Sequence, residues 1–538
     1  MADGTKDEGT KWADRLEAWD GLYKAEKKES WTKITEWYYN QFPEGLMRVN
    51  LIFSHGRSVV PQLYFKNPVA SINIPRPDYS DAQLTLQRVD DKLLKLMKVK
   101  ATIKKMIVSA FCFTRGWVKC GYTPDDATSN FGNMFGSIMP HYQRVDRYSP
   151  GRPWVSHVKT CDIAFDALVS DIDDSAWFAM RFDRSIQELI DDEGPLGAYM
   201  RREKKGFEDR DPDDMETFWE VWDKYTGRTH TQYDKDMIDN GIDIDVWPFY
   251  NLEFNWCPDK PFGISDAELI FDLQKEQNEI KTQIHEHRRT SLVKILARKN
   301  ALDSEQKAKL KDDKVGPVVE VDGVPAESIM QFKPDIPMDL FTVANTNEND
   351  VRGVIGYSRN QLGETGPTKK TASEANIIQQ QVMIRLDERR DMVADVIGEI
   401  LYGVNCYVLD QWDANKAAEY GADPLAWTKA QEVKDTYLID IVPDSTLPVS
   451  RQVKQQEAIQ LYQVFAADPL IDPIKLRIKV LEAFETADAS LLNQNAVAML
   501  QIQQQLGAAG AGAPMRGPDQ QQRQPRTDQN GMPQRAPA

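Results

Sequence analysis

Apolar residues recur at helical spacing near the start of the chain. Trp12, Leu16, Trp19, Leu22 and Tyr23 share one face of a helix predicted from about Glu8 to Phe42. A second long helix is predicted from about Ser80 to Phe111, with Leu86, Val89, Leu93, Met97, Ile103 and Ile107 in its apolar stripe. Between them, "VASINIPRP" reads as a strand stopped by Pro75 and Pro77. From Thr114 to about Trp256 the period shortens. "GWVKCGY", "RPWVSHVKT", "TFWEVWDKYTG" and "VWPFYNLEFNW" predict short strands rich in aromatics and valine, with a tight turn at Asn240-Gly241.

The helical period returns in "PFGISDAELIFDLQKEQNEIKTQIHEHRRTS", where Ser265 and Glu268 form a capping-box pattern behind Pro261 and Gly263. This helix is predicted to run to about Thr290, ~40 Å at ~1.5 Å per residue. Its apolar positions are sparse: Ile270, Leu273, Ile280 and Ile284. Such a helix needs neighbours, and in a ring copies of itself supply them. A small module follows from Leu292 to Pro337: a strand, a short helix made locally basic by Lys307, Lys309 and Lys311, and a "GPVVEV" strand. A shorter helix is predicted from about Met338 to Tyr357. After the loop "GETGPTKKT", a second capping box at Thr371 and Glu374 starts a helix reaching about Trp412, ~60 Å long. Gly398 and Gly403 mark where that helix can bend. "YLIDIV", from Tyr437 to Val442, alternates like a half-buried strand. A helix with Val453, Ile459, Leu461 and Val464 comes next, then another behind Pro473. The stretch from about Gly507 is a low-complexity tail, too polar and glycine-rich for a core. The fold class expected from this order is α+β.

Composition narrows the function. With 538 residues the chain exceeds one ordinary core, and 41% hydrophobic with 28% charged residues fits a folded protein. The net charge of −17 is the wrong sign for a protein that coats DNA, so any contact with DNA confines it rather than grips it. Five scattered cysteines show no metal spacing and suggest reduced thiols. The opening "MADGTKDEGTKWADRLEAWD" is polar and acidic, and no apolar run is read as approaching the ~20 residues of a membrane span. The expectation is a chain neither secreted by a standard signal nor embedded in a membrane.

Catalytic motifs are weighed and set aside. "GETGPTKKT" resembles a phosphate-binding loop, but Thr368 stands where glycine must precede the lysine, and the preceding segment is helical. His285 and His287 point to different sides of a helix and cannot share a metal. "DMIDNGIDID" lacks the ligand order of a calcium loop and reads as a solvated hairpin, while Asp162 and Asp166 read as turn residues. No side chain is placed by the sequence to activate a nucleophile. The expectation is a protein that is not an enzyme and uses no cofactor or metal. The pair Lys369–Lys370, at a helix N-terminus, suits sequence-blind and salt-sensitive contact with phosphates.

The order of "PFGIS", the polar "LQKEQNEIK", the Thr-Ala-Ser-Glu helix start, the following glutamines with Arg385, Arg389 and Arg390, and "VPDSTLPVSRQ" resembles a bacteriophage portal protein of the head–tail connector. The resemblance covers about Trp31 to Ala487 and lies in order and spacing more than in any one motif. It implies a dodecameric ring at one capsid vertex and a portal-like fold: helical and β wing, two stem helices, small α/β clip, tunnel loop, long kinked helix and mainly helical crown. Residues 1–263 would be wing, 264–291 and 338–357 the stem helices, and 292–337 the clip. Residues 358–371 would be the tunnel loop, 372–412 the long wing helix, 413–500 wing completion and crown, and 501–538 a disordered tail. The tunnel loop would bring Gly363, Gly366, Pro367, Thr368, Lys369 and Lys370 to passing DNA. Lys281, His285, Arg288 and Arg289 would line the stem channel, and Lys307, Lys309 and Lys311 would dock partners. The implied partners are further copies of the chain, double-stranded DNA without sequence preference, a terminase motor, a head–tail adaptor, and major capsid and scaffolding proteins, with no membrane. The implied location is the virion, after assembly in the host cytoplasm. The rival readings are another structural virion component of the scaffold or adaptor kind, which the long Ile378–Val408 helix would suit, and a nucleotide-dependent enzyme, against which the missing phosphate loop argues.

Overall fold

The computed structural model describes residues 2–64, 67–68, 70–123, 151–192, 194–204, 206–239, 241–290, 294–297, 303–305, 308, 329–332, 337–356, 372–434, 437–441, 451–465, 476–477 and 480. They fall in two units, Met1–Leu447 and Pro448–Ala538. In the second, one helix spans Arg451–Phe465, with Ile459 and Val464 exposed.

The first predicted helix is in fact two, α1 (Ala2–Glu26) and α2 (Lys28–Tyr38). The break falls at Lys27, whose buried ammonium donates to Gly263 O at 2.9 Å and to both Glu268 carboxylate oxygens at 3.1 Å. Helix α3 (Leu51–Leu63), absent from the sequence expectation, is capped by Asn50, which accepts from Phe53 N at 2.9 Å. Strand β1 (Ala70–Asn73) is where the pattern placed it. The second predicted helix is also divided, into α4 (Ser80–Leu96) and α5 (Val99–Phe113), by Lys98 in the left-handed region at φ 53°.

The aromatic middle is β-rich as expected. Its elements are β2 (Arg115–Thr123), β3 (Arg152–Val158), β4 (Ile163–Phe165), β5 (Trp177–Ser185), α6 (Ile186–Asp191), α7 (Pro195–Glu203), β6 (Met215–Asp223), β7 (Arg228–Tyr233), β8 (Asp236–Met237), β9 (Ile242–Asp243) and β10 (Phe249–Glu253). One antiparallel sheet has the order β10-β2-β3; the other runs β4-β5-β6-β7-β8, with β9 also on β7. Among the described residues, the two strands of the acidic 236–245 stretch, β8 and β9, both pair with β7 and not with each other. This stretch is therefore the return arm beside β7 and not a hairpin turning at Asn240-Gly241. Asp239 accepts from Gly241 N at 3.1 Å, and Asp243 pairs with Arg228 at 2.9 Å. Asp166 closes a turn by accepting from Leu168 N at 3.1 Å. Asp162 is a turn residue too: it ends the 3-10 turn Thr160–Asp162, its N–H donating to Lys159 O at 3.0 Å, and its carboxylate holds Arg181 at 2.6 Å.

Then come α8 (Asp266–Thr290), the antiparallel strands β11 (Lys294–Ala297) and β12 (Ile329–Phe332), α9 (Asp339–Ile355) and the 40-residue α10 (Ala372–Gln411). The partner of β11 is thus 329–332, a strand the sequence pattern did not predict; "GPVVEV" lies outside the described residues. Two short helices, α11 (Ala414–Glu419) and α12 (Pro424–Glu432), lead to β13 (Leu438–Ile441), which pairs antiparallel with β1. The described residues therefore form a mixed helix-and-sheet structure of the α+β class.

The main core gathers α3, α4, α5 and β2 around α10, whose Ile397, Ile400, Leu401, Val404 and Val408 are wholly buried. Each contributes about 1.5–3 kcal/mol by leaving water. Leu386–Gln411 is long and apolar enough to cross a membrane by length and composition, against the expectation that no run comes near that length. Here that helix packs against β2, β3, β10 and β13 and is the central helix of the core. Gly403 serves this packing, because a Cβ there would overlap the Tyr250 hydroxyl. A second cluster, built on Trp12, Trp19, Trp31, Trp117 and Trp177, fastens α1 to the larger sheet.

Candidate nucleic-acid interface

Helix α8 starts with the reciprocal bonds its sequence calls for. Glu268 N donates to Ser265 Oγ at 3.0 Å, and Ser265 N donates to the Glu268 carboxylate at 2.9 Å. The same carboxylate receives Lys27 and the Ser30 hydroxyl, at 2.8 Å for the latter, so the cap also anchors α2. Beside it, Arg389 of α10 grips Asp266 through two bonds of 2.6 and 2.9 Å, with its guanidinium 5.0 Å from the Phe254 ring.

The next three turns carry a polar row at i, i+4 and i+8: Gln274, Asn278 and Thr282. This row runs beside the apolar positions Ala267, Ile270 and Phe271, which pack on the core. Gln274 Oε1 accepts from Leu51 N and from Ile52 N, the latter at 3.2 Å. Asn278 Oδ1 accepts from Val49 N at 3.1 Å, and Thr282 Oγ1 from Met47 N at 2.8 Å. The otherwise orphaned amides of the segment entering α3 are thereby satisfied. On another side, Asn347 of α9 donates to Leu273 O at 2.9 Å and to Gln277 Oε1 at 3.2 Å. Val351 and Ile355 of α9 join Ala267 and Ile270 of α8 in the core. As α9 approaches the body α8 leaves it, so the two are antiparallel and form a stalk that carries the β11–β12 pair between them.

The stalk is incompletely covered. Met338, Phe341, Val343 and Val354 of α9 and its approach are 75, 41, 44 and 45% exposed. Arg288 and Arg289 lie at the outer end of α8, His285 about a turn before them, and Lys281 further back beside Thr282. Lys281 and His285 are half-buried, while Arg288 and Arg289 are exposed. Arg288 Nη2 donates to His285 Nδ1 at 3.4 Å. Within one chain, cations in this last turn offset the negative end of the helix dipole. All four residues stand on the one helix α8, as their sequence spacing requires.

The tunnel-loop candidates Gly363, Gly366, Pro367, Thr368, Lys369 and Lys370, and the clip candidates Lys307, Lys309 and Lys311, lie outside the described residues. The polar row Gln274–Asn278–Thr282, and Gln277 that receives Asn347, escaped the sequence reading as functional positions. Their signal was there: polar residues at helical spacing beside the apolar positions. Among the described residues, no group of three or more His, Cys, Asp or Glu side chains is placed to hold a metal. What the stalk offers is positioned charge.

No protein-family model matches the chain, and no curated protein matches it in sequence.

Proposed function

We propose that the chain is a portal protein: a ring of copies at one capsid vertex through which double-stranded DNA enters during packaging and leaves during ejection. It acts without a reaction of its own, and it docks a terminase motor and later a tail adaptor through the segment between α8 and α9. The observation that supports this best is the stalk. It is rooted by a polar row and a buried ion pair, leaves apolar side chains of α9 uncovered, and carries cations toward its outer end. Twelve stalks around an axis would cover one another's apolar faces and surround a bore. Arg288 and Arg289, with Lys369 and Lys370, would supply few phosphate contacts per copy. The acidic remainder, within a net charge of −17, would keep DNA free to slide.

The test is a pair of charge reversals, Arg288→Glu/Arg289→Glu and Lys369→Glu/Lys370→Glu, assayed for ring assembly and for packaging and retention of DNA. The expected result is intact rings with altered packaging or retention, and a weaker dependence of DNA contact on salt. Packaging and retention unchanged in both variants would remove these residues from the DNA path.

A further inference from the structure

A groove of about 1080 Å³ opens on the body where α2, α3 and α5 meet the segment entering β4. Its walls are aromatic. The Tyr38 ring lies 5.2 Å from Phe53 and 5.9 Å from Tyr39, and Tyr39 and Phe53 are 70 and 41% exposed. Ser109 and His157 share a hydrogen bond of 2.8 Å on the inner wall. The rim is cationic: Arg57, Lys104, Lys105 and Lys159 stand against Glu36, the one carboxylate among the described lining residues. Burial, with Lys100 adding to it, pushes the Lys104 ammonium down, which an incoming anion would reverse. In an acidic chain, exposed rings inside a cationic rim fit an apolar knob with an acidic collar.

The chain carries that knob. Leu168 and Tyr225 are 92 and 91% exposed, more than any other large hydrophobic among the described residues. Phe165 pairs with Phe178 and Phe178 with Trp222, so the turns that follow β4 and β6 leave the same end of the sheet. Lys224 N donates to Ala176 O at 2.8 Å and ties the two turns together. Around them lie Asp166, Asp171, Asp173 and Asp174, of which Asp173 and Asp174 are exposed. Asp166 and Asp171 brace their turns by accepting from Leu168 N and Asp173 N, both at 3.1 Å. The groove wall includes Thr160 and Cys161, just before β4, and the knob follows that strand. The two features therefore lie at opposite ends of one strand.

We infer that Leu168 and Tyr225 of one copy seat in the aromatic groove of the next, with the aspartates of the knob against Arg57, Lys104, Lys105 and Lys159. This is a heterologous, head-to-tail contact, the type that closes into a ring when its rotation divides a full turn. The inference rests on the proposed ring and adds which surfaces close it.

Sedimentation of the full chain over a range of concentrations tests it. Leu168→Glu/Tyr225→Glu should raise the concentration for half-assembly by roughly thirtyfold or more, as loss of a buried anchor does. Thermal unfolding measured below the assembly concentration of the parent should stay unchanged, because both side chains are exposed in the single copy. Lys104→Glu/Lys105→Glu should weaken assembly too, and adding Asp173→Lys/Asp174→Lys should restore it. Knob variants that assemble like the parent, or charge swaps without rescue, would overturn the seating while leaving the ring in place. A parent chain that never assembles would overturn both.

Discussion

The body and the stalk handle their apolar surface in opposite ways. In the body, α10 buries Ile397, Ile400, Val404 and Val408 completely against strands and helices of its own chain. In the stalk, α9 buries Ala344, Val351 and Ile355 on one side and leaves Phe341, Val343 and Val354 in water on others. The root of the stalk is secured by apolar packing at Ala267, Ile270, Val351 and Ile355 and, beside it, by polar groups with fixed geometry. Directional bonds fix the orientation of such a region, and its uncovered side chains stay in water in the single chain. In the proposed ring, neighbouring stalks would cover the side chains that α9 leaves exposed.

The sharpest way to break this comparison is to cut the link between its two halves. Arg389→Leu leaves Asp266, 2% exposed at its side chain, without its bidentate partner. Losing one member of a buried pair costs about 3–5 kcal/mol, so denaturant unfolding should show a loss of that size. Hydrogen exchange should quicken first at the start of α8. A loss under about 1 kcal/mol would mean the stalk is not rooted there.

A smaller effect should appear inside the body. Asp90, fully buried on α4, accepts from Asn405 Nδ2 at 3.2 Å, and its carboxyl is pushed up to about 8 by burial, with Asp91 adding to the rise. Between pH 3.8, its ordinary value, and pH 8, the folded chain holds a proton that the unfolded chain has released. Stability contributed at this site therefore falls as pH rises through that window. Asp90→Asn should exceed the parent in unfolding free energy by about 1–3 kcal/mol at pH 8, with the gap closing toward pH 4. His55 works in the other direction. Burial, with Arg352 adding, lowers it to about 4, so its site loses stability as pH drops from 6.5 toward 4. A gap for Asp90→Asn that stays constant with pH would contradict the buried, protonated carboxyl.

The smallest effect on the single chain belongs to the stalk face. Phe341→Ser/Val343→Ser should change unfolding free energy by less than about 0.5 kcal/mol, the usual range for exposed positions. The same pair should weaken assembly. A large loss of stability without any loss of assembly would place these side chains inside one chain's own core.

How much of this was legible in the sequence follows from the range of the forces involved. The capping box at Ser265 and Glu268, the stalk helix, the long helix and the 437–442 strand rest on local spacing, and each was readable. Breaks at Lys27 and Lys98 were not, because one depends on a carboxylate 241 residues away and the other on a left-handed lysine where glycine would be the signal. Helix α3 was hidden by Gly56, Pro61 and the buried His55 within its apolar pattern. The pairing of β1 with β13, and of β11 with 329–332, is set by tertiary contacts that local alternation does not encode. Of the candidate site, the stem cations could be placed on one helix end. The polar row beneath them was missed because polar residues on a sparse helix are read as solvated by default.

Direct imaging of the purified full chain tests the central claim, that copies close around their stalks. The expected result is closed rings with a central opening wide enough for a DNA duplex and with α8 and α9 around that opening. Single copies at every concentration, or rings that carry α8 and α9 on the outer rim, would contradict it.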